Sequence, residues 1–131
     1  MKGFIADIEE LTEENDDFRR VLYTGKNLQL VLMAIAPGSE IGEEVHADRD
    51  QFFRVEKGKG EVSVDGHRSS IKGDDAIIVP AGARHNIMNT GDQPLRLYTL
   101  YAPPEHRDGT VHSTRADAEA SEEHFDGTTT E

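Results

Sequence analysis

The sequence of 131 residues has no cysteine, no tryptophan and few aromatic residues. The absence of cysteine excludes disulfide bonds, thiolate metal sites and a cysteine nucleophile. It also agrees with a reducing cytoplasm, which is where we expect the protein to lie. Hydrophobic residues make up 35% of the chain, so a core can form while much of the chain stays exposed. This length and composition predict one domain.

Long apolar runs and an excess of basic residues are absent too. No stretch approaches the roughly 18 consecutive apolar residues of a membrane-spanning helix, and the first residues lack the apolar segment of a signal peptide. The formal net charge is −12, from 26 acidic and 14 basic residues. A nucleic-acid backbone requires a basic binding surface. We therefore expect neither a membrane nor a nucleic acid as a partner.

Short apolar or alternating runs, each closed by turn residues, fill the chain between residues 18 and 103. They are FRRVLYTG, NLQLVLMAIAPG, EIGEEVH, QFFRVEKG, GEVSVDG, DDAIIVPAG, RHNIMNTG and PLRLYTLYAP. The leucines at positions 28, 30 and 32 show the two-residue period of a strand. Because no helical period lies between the runs, the sequence predicts an all-β sandwich or barrel.

The two ends of the chain differ from this central part. Residues 1–17 form an acidic N-terminal lead-in, in which IADIEELTEEN could be a short helix or an irregular segment. Residues 104–131 form a polar, acidic C-terminal tail. We expect this tail to be mobile or to dock on a neighbour, with a possible short helix in ADAEASEEH. The barrel is thus predicted to span residues 18–103.

Three side chains with metal-binding donor atoms, Glu44, His46 and Gln51, lie close together in the sequence. Side chains alternate along a strand, so Glu44 and His46 point to the same face and can bind one ion. A bend after His46 would bring Gln51 back towards the same point. The fourth candidate is His85, which follows the turn in PAGARHN. Together they offer two imidazoles, one carboxylate and one amide oxygen.

This spacing resembles the two motifs of the cupin superfamily, G(X)5HXH(X)3-4E(X)6G and G(X)5PXG(X)2H(X)3N. Residues 38–58 are similar to the first motif, with Glu44, His46 and Gln51 at its ligand positions. Residues 73–89 are similar to the second, with His85 as its histidine, although Gly73 is one residue further from the proline. The resemblance covers roughly residues 25–103. It implies a jelly-roll barrel, or double-stranded β-helix, of six to eight strands, with a metal ion in its mouth and a homodimer as the assembly.

Two ligand positions depart from the family pattern. Glu44 replaces the first histidine of the motif, and Gln51 replaces its glutamate. Because both sets contain one carboxylate and three neutral donors, the charge of the ligand set is unchanged. We therefore expect a divalent transition-metal ion, with Fe, Mn, Ni, Co and Zn all possible. The alternatives are that Glu44 is an ordinary exposed acid and that Gln51 only orients His46 by a hydrogen bond.

The other histidines and the tyrosines are predicted to have structural positions. We place four histidines outside the ligand set, on a hairpin turn or in the tail, although one in the tail could fold over the barrel mouth: His67, His106, His112 and His124. Tyr98 and Tyr101 are expected in the core or an interface rather than as catalytic acids. The acidic residues of the ADRDQ bend, Asp48 and Asp50, are expected to cap that turn.

Three functions are compatible with these features. A bound metal ion can polarise a carbonyl or hydroxyl group, which suits isomerase or lyase chemistry on a sugar or a small oxo acid. The resemblance favours this function, since small cupins of this kind include sugar-isomerase-like members. Two histidines and one carboxylate are also the ligand set of Fe(II)-dependent dioxygenases. The third function is non-catalytic binding of a small molecule; the fold accommodates all three, and no catalytic residue is assigned.

Overall fold

In the computed structural model, which describes residues 2–131, two antiparallel sheets pack face to face. The strands are β1 (Arg19–Thr24), β2 (Gln29–Ile35), β3 (Glu44–Val45), β4 (Asp50–Lys57), β5 (Lys59–Val64), β6 (His67–Lys72), β7 (Ala76–Val79), β8 (Arg84–Asn89), β9 (Leu95–Ala102) and β10 (Val111–His112). The helices are α1 (Ile8–Glu14) and α2 (Arg115–Ala120). One sheet has the order β10-β1-β2-β9-β4-β7 and the other β3-β8-β5-β6. The prediction of an all-β fold is confirmed.

The core lies between the two sheets, where alternate residues of each strand point inward. On β2 the inward residues are Gln29, Val31, Met33 and Ile35, all at most 1% exposed. The leucines that revealed the period of this strand lie on its other face, where the exposed fraction falls from 50% at Leu28, just before the strand, to 2% at Leu32. Helix α1 covers part of that outer face, because Arg96 of β9 donates a hydrogen bond to the backbone oxygen of Glu13. The sequence thus predicted the period of β2, while the apolar residues between the leucines form the core.

The eight predicted runs correspond to eight of the strands, but residues 2–131 contain two more. One is β6, a polar strand at the edge of the four-stranded sheet in which only Ile71 is buried. An edge strand that exposes both faces shows no apolar alternation, so the pattern could not reveal it. The other is β10, which pairs with β1 beyond residue 103. The six to eight strands implied by the family resemblance are therefore too few.

Residues after 103 pack back onto the two sheets. Besides β10, helix α2 places Ala118 against the hydrophobic core. The last residues run beside β1, since the backbone nitrogen of Thr130 donates to the Thr24 oxygen at 2.9 Å. The Thr24 nitrogen donates to the Thr130 hydroxyl at 2.8 Å. The sheet thus extends past the predicted barrel boundary. No helix within residues 2–131 has the length and apolar character to span a membrane.

Two hydrogen bonds hold the turn after β3 against the turn after β7. The Gly82 nitrogen donates to the His46 oxygen at 2.8 Å, and Gly82 has a positive φ of 87° that favours glycine. The Ala81 nitrogen donates to the Asp50 carboxylate, also at 2.8 Å. Asp50 therefore binds the neighbouring turn, whereas the sequence predicted that it would cap its own. These bonds bring the two motif segments side by side.

Candidate metal centre

The structure brings the four predicted donor residues together. Glu44 lies directly opposite His85 on the paired strands β3 and β8. His85 Nε2 is 3.1 Å from the amide oxygen Oε1 of Gln51. The rings of His46 and His85 have centroids 5.4 Å apart, and Glu44 Oε2 is 3.2 Å from His46 Nε2. The donors therefore form one cluster inside the barrel.

Gln51 and His85 are buried, at 4% and 3% exposed. The amide nitrogen of Gln51 donates to the Thr99 hydroxyl at 3.0 Å, which leaves Oε1 facing His85. The other ring nitrogen of His85, Nδ1, lies 3.2 Å from the Ala83 carbonyl oxygen. A neutral imidazole carries one N–H, yet both ring nitrogens of His85 face oxygen acceptors. A cation beside Nε2 would satisfy the nitrogen that lacks the proton.

His46 lies between two carboxylates. Its Nδ1 is 3.2 Å from Glu105 Oε2, and its Nε2 is 3.2 Å from Glu44 Oε2. Burial alone would lower the pKa of His46, but Glu105 and Glu44 raise it to about 9. Burial alone would raise the pKa values of both glutamates, but His46 lowers them. In the absence of an ion, a charged imidazole is therefore balanced by two carboxylates.

The contact between His46 and Glu44 is close but poorly aligned. His46 Nε2 is buried and has no hydrogen-bond partner, although Glu44 Oε2 is 3.2 Å away. Among residues 2–131, no group of three or more His, Cys, Asp or Glu side chains is arranged to hold a metal ion. Gln51, as an amide, falls outside that group of residue types. The donor chemistry thus fits a divalent metal ion, but the side chains would have to rotate slightly to converge on one.

Glu105 was missed in the sequence because it lies in the segment expected to be a tail. It reaches His46 from outside the two motifs, and Arg49 donates to it at 2.7 Å. Nothing in the pattern around PPEHRDG points to a contact with a residue 59 positions earlier, since no strand period continues there. Its position depends instead on the buried Gln29, which accepts hydrogen bonds from the backbone nitrogens of Glu105 and His106 at 3.1 and 2.9 Å.

Tyr101 is buried, at 2% exposed, as its predicted core position requires. Its ring packs edge-on against His46, with centroids 5.8 Å apart. On its other side lies His106, whose Nε2 is 3.3 Å from the Tyr101 hydroxyl. His106 is therefore near the site but separated from the four donors by Tyr101.

His67 and His124 are exposed, and His112 lies on β10 beside Arg19.

Comparison with known proteins places this geometry in a family. Residues 31–101 match the family model described as Cupin domain. The uncharacterized protein YrkC of Bacillus subtilis is 45% identical over 93% of this chain and 69% of its own length. The crystal structure of BH2720 from Bacillus halodurans shares 47% identity with a TM-score of 0.90, covering 92% of this chain and 96% of that one.

A third relative carries a functional name. The polyketide synthase CurC of Streptomyces cyaneus is 31% identical over 55% of this chain and 47% of its own length. The family match alone covers more than half of the chain, and YrkC and BH2720 extend the similarity to nearly all of it. The chain therefore belongs to the cupin domain family, and its two packed sheets are the jelly-roll barrel of that family.

Proposed function

We propose that this protein binds one divalent transition-metal ion through Glu44, His46, Gln51 and His85. We propose further that it acts on a small polar metabolite, with isomerase or lyase chemistry on a sugar or an oxo acid. The observation that carries this proposal is the buried Nε2 of His46 within the donor cluster, which makes no hydrogen bond although Glu44 Oε2 lies 3.2 Å away. A buried polar atom is costly unless something pairs with it.

The surrounding donors support an ion as that partner. Glu44 supplies the single carboxylate beside His46 Nε2, and the Gln51 oxygen faces His85 Nε2 at 3.1 Å. Glu105 lies on the opposite side of the His46 ring and accepts from Nδ1, which directs Nε2 towards the donor cluster. An ion binding there would displace a proton from Nε2, because only a deprotonated nitrogen can be a ligand.

A divalent cation in this position supplies Lewis-acid polarisation of a carbonyl or hydroxyl oxygen. The residues of the chain would hold the substrate and manage its protons. Tyr101 and Phe53, 2% and 1% exposed, form apolar walls beside the histidine rings and limit the access of water. Glu44 lines a cavity through which a substrate could reach the proposed ligands. The similarity to a protein named polyketide synthase agrees with a substrate that carries carbonyl groups.

The donor set also favours a second candidate function. Two imidazoles and one carboxylate with open positions form the ligand set of Fe(II)-dependent dioxygenases. Glu44, His46 and His85 provide these three donors, and Gln51 would then be a weak or replaceable fourth. Oxygen consumption by the iron-loaded protein with candidate substrates, absent from the metal-free protein, would favour this function over an isomerase or lyase.

Elemental analysis of untagged protein tests the metal site directly. We expect about one ion per chain in the wild type, and its loss in Glu44→Ala and His46→Ala. Glu43→Ala and His67→Ala are matched controls, because both residues are exposed. These substitutions remove a carboxylate and an imidazole outside the donor cluster. If the wild type binds no ion even after growth with added metals, the metal-dependent proposal fails. The Gln51 amide would then be turned to donate to His85, and non-catalytic binding of a small molecule would become the preferred function.

We also propose that the protein forms a homodimer. Strand β7 is an edge of the six-stranded sheet, and Ile78 on it is 71% exposed. An open strand edge presents backbone groups with which a second copy can pair, and an exposed isoleucine adds apolar area. Light scattering coupled to size-exclusion chromatography would measure the mass in solution, and a monomeric mass would contradict this proposal.

A further inference from the structure

Arg19 is a buried cation that makes no ion pair within the described part of the chain. It begins β1 and shares the inward face of that strand with Val21, so that only 8% of it is exposed. One of its terminal nitrogens lies 3.3 Å from His112 Nδ1, and its Nε is buried without a hydrogen-bond partner. Among residues 2–131, no carboxylate lies within ion-pair distance of Arg19. A charge buried in this way is unfavourable unless an anion joins it.

His112 does not supply the missing charge. Burial lowers the pKa of His112, and the neighbouring Arg19 lowers it further, so the ring remains a neutral acceptor. The ring of Phe18 lies 5.3 Å from the guanidinium carbon of Arg19 and offers only a cation–π contact. Such a contact is weaker than a pair with a carboxylate, which matches the guanidinium with two parallel hydrogen bonds.

Arg19 and Glu44 line the same cavity, which has a volume of about 380 Å³. The cavity lies between the start of β1, the segment that leads into β3, and helix α2, which contributes Arg115 and Ala118. Its size falls in the range of small-molecule sites. The unpaired cation and a proposed metal ligand therefore face one space.

The other charged groups of this cavity already have partners. Arg115 pairs with Glu119 at 3.1 Å along α2. Glu44 lies beside His46, and the exposed Glu43 lies 4.0 Å from Arg84. Arg19 is thus the charged residue of the cavity lining that has no ion-pair partner among the residues described, although Glu44 attracts its charge at longer range.

We propose that Arg19 binds the carboxylate of the substrate, and that the substrate is a small 2-oxo or 2-hydroxy acid. This inference rests on the proposed function, because the oxygen next to that carboxylate would face the metal ligands at Glu44. Of the two substrate classes in the proposed function, this inference favours oxo acids over neutral sugars. A planar guanidinium suits this task, since its fork pairs with both carboxylate oxygens.

A purely structural role for Arg19 makes a different prediction. The positive charge of Arg19 contributes to lowering the pKa values of Glu44 and Glu123, so its removal would alter stability in any case. A structural role would not, however, make the protein distinguish an acid from its amide. The comparison of two such ligands is therefore the informative measurement.

The test uses the full-length, metal-loaded protein and calorimetric titration with pyruvate and with pyruvamide, its neutral analogue. We expect the wild type to prefer pyruvate. Arg19→Gln should weaken pyruvate binding about 10-fold to 100-fold, the usual effect of losing hydrogen bonds to a charged group, and leave pyruvamide binding unchanged. The pyruvate affinity of Arg19→Lys should lie between those of the wild type and Arg19→Gln. Lysine keeps the positive charge but cannot donate two parallel hydrogen bonds to a carboxylate. Arg20→Gln is the matched control, since Arg20 is the next residue of β1 and its side chain is 53% exposed.

The outcomes separate this inference from the proposed function. If the wild-type protein binds no metal ion, the proposed metal site is refuted. The ratio of its affinities for pyruvate and pyruvamide would still test the role of Arg19. Equal affinity of the wild type for both ligands, or an Arg19→Gln variant that keeps the preference, overturns the assignment of Arg19. If Arg19→Gln does not fold, as judged by circular dichroism, the wild-type preference and the Arg19→Lys variant decide.

Discussion

Replacing Gln29 by leucine would show how firmly the segment after β9 is fixed to the barrel. Gln29 is fully buried, and its Oε1 accepts from the backbone nitrogens of Glu105 and His106. Its Nε2 donates to the His106 carbonyl oxygen at 2.7 Å and to the Thr24 hydroxyl at 3.0 Å. One side chain therefore satisfies three backbone groups of the segment that places Glu105 beside His46.

The size of the effect follows from those three backbone groups. Leucine has nearly the same volume as glutamine but no polar atoms, so two N–H groups and one carbonyl would lose their partner. A buried group left without a partner costs about 1–3 kcal/mol. The segment can relax towards water, so each group should stay near the lower limit. We expect a loss of about 3 kcal/mol in the free energy of unfolding.

Urea denaturation followed by circular dichroism would measure this loss. Leu28→Ala is a suitable control, because Leu28 precedes Gln29 and is 50% exposed; it should change stability by less than about 1 kcal/mol. A change below about 1 kcal/mol for Gln29→Leu as well would refute the reasoning, since the segment would then be held by other contacts. Gln29→Leu should also weaken metal binding, because Glu105 would no longer be held beside His46.

Two further predictions concern the carboxylates of Glu105, which contacts His46, and of Glu123, which contacts His106. Glu105→Gln should lower metal affinity about 10-fold without abolishing binding, because a carboxylate that accepts from the other ring nitrogen of a ligating histidine typically contributes this much. Competition with a chelating dye would measure the affinity, and an unchanged value would contradict the role of Glu105. Asp48→Asn is its control, since Asp48 is 74% exposed and also lies near Arg49. Burial alone would raise the pKa of Glu123, but the contact with His106 at 2.6 Å lowers it to about 2 from an ordinary value of 4.5. This stabilisation, at most about 3 kcal/mol, is fully present above pH 4.5 and lost as the pH falls through 2. As the pH is lowered from 6 to 3, the urea midpoint should therefore decline less for Glu123→Gln than for the wild type. Parallel declines would contradict a stabilising role of ionised Glu123.

The central part of the fold could be predicted because the chain there obeys a simple period. A strand alternates inward and outward residues, so the spacing of Glu44 and His46 was enough to place both on one face. The position of His85 opposite Glu44 required a second strand in the correct register, which the family motifs supplied and composition alone did not. The same alternation puts Gln51 and Phe53 on one face of β4, and the structure places both inside.

The contacts from outside the central part could not be predicted in this way. Glu105 lies in an irregular segment whose path depends on hydrogen bonds to a buried side chain, and such bonds leave no periodic signal. Arg19 is a different case, because FRRV places it on the same face as the apolar Val21. A charged residue on an inward face was therefore visible in the sequence as an exception to the pattern.

Helix α2, which lines the cavity beside Arg19, is a different kind of element than the strands that carry the candidate donors. Glu44 and His85 are fixed by ladder hydrogen bonds between β3 and β8, whereas α2 is a helix of six residues with no fully buried side chain. Substitutions in α2 that leave the contact of Ala118 with the core in place can therefore reshape the space beside Arg19 with little effect on the barrel. Under the proposed function, related chains could differ in the acids they accept by changing this helix while keeping the same donor cluster. A comparison of α2 among relatives, rather than of the barrel strands, would then be the place to look for differences in specificity.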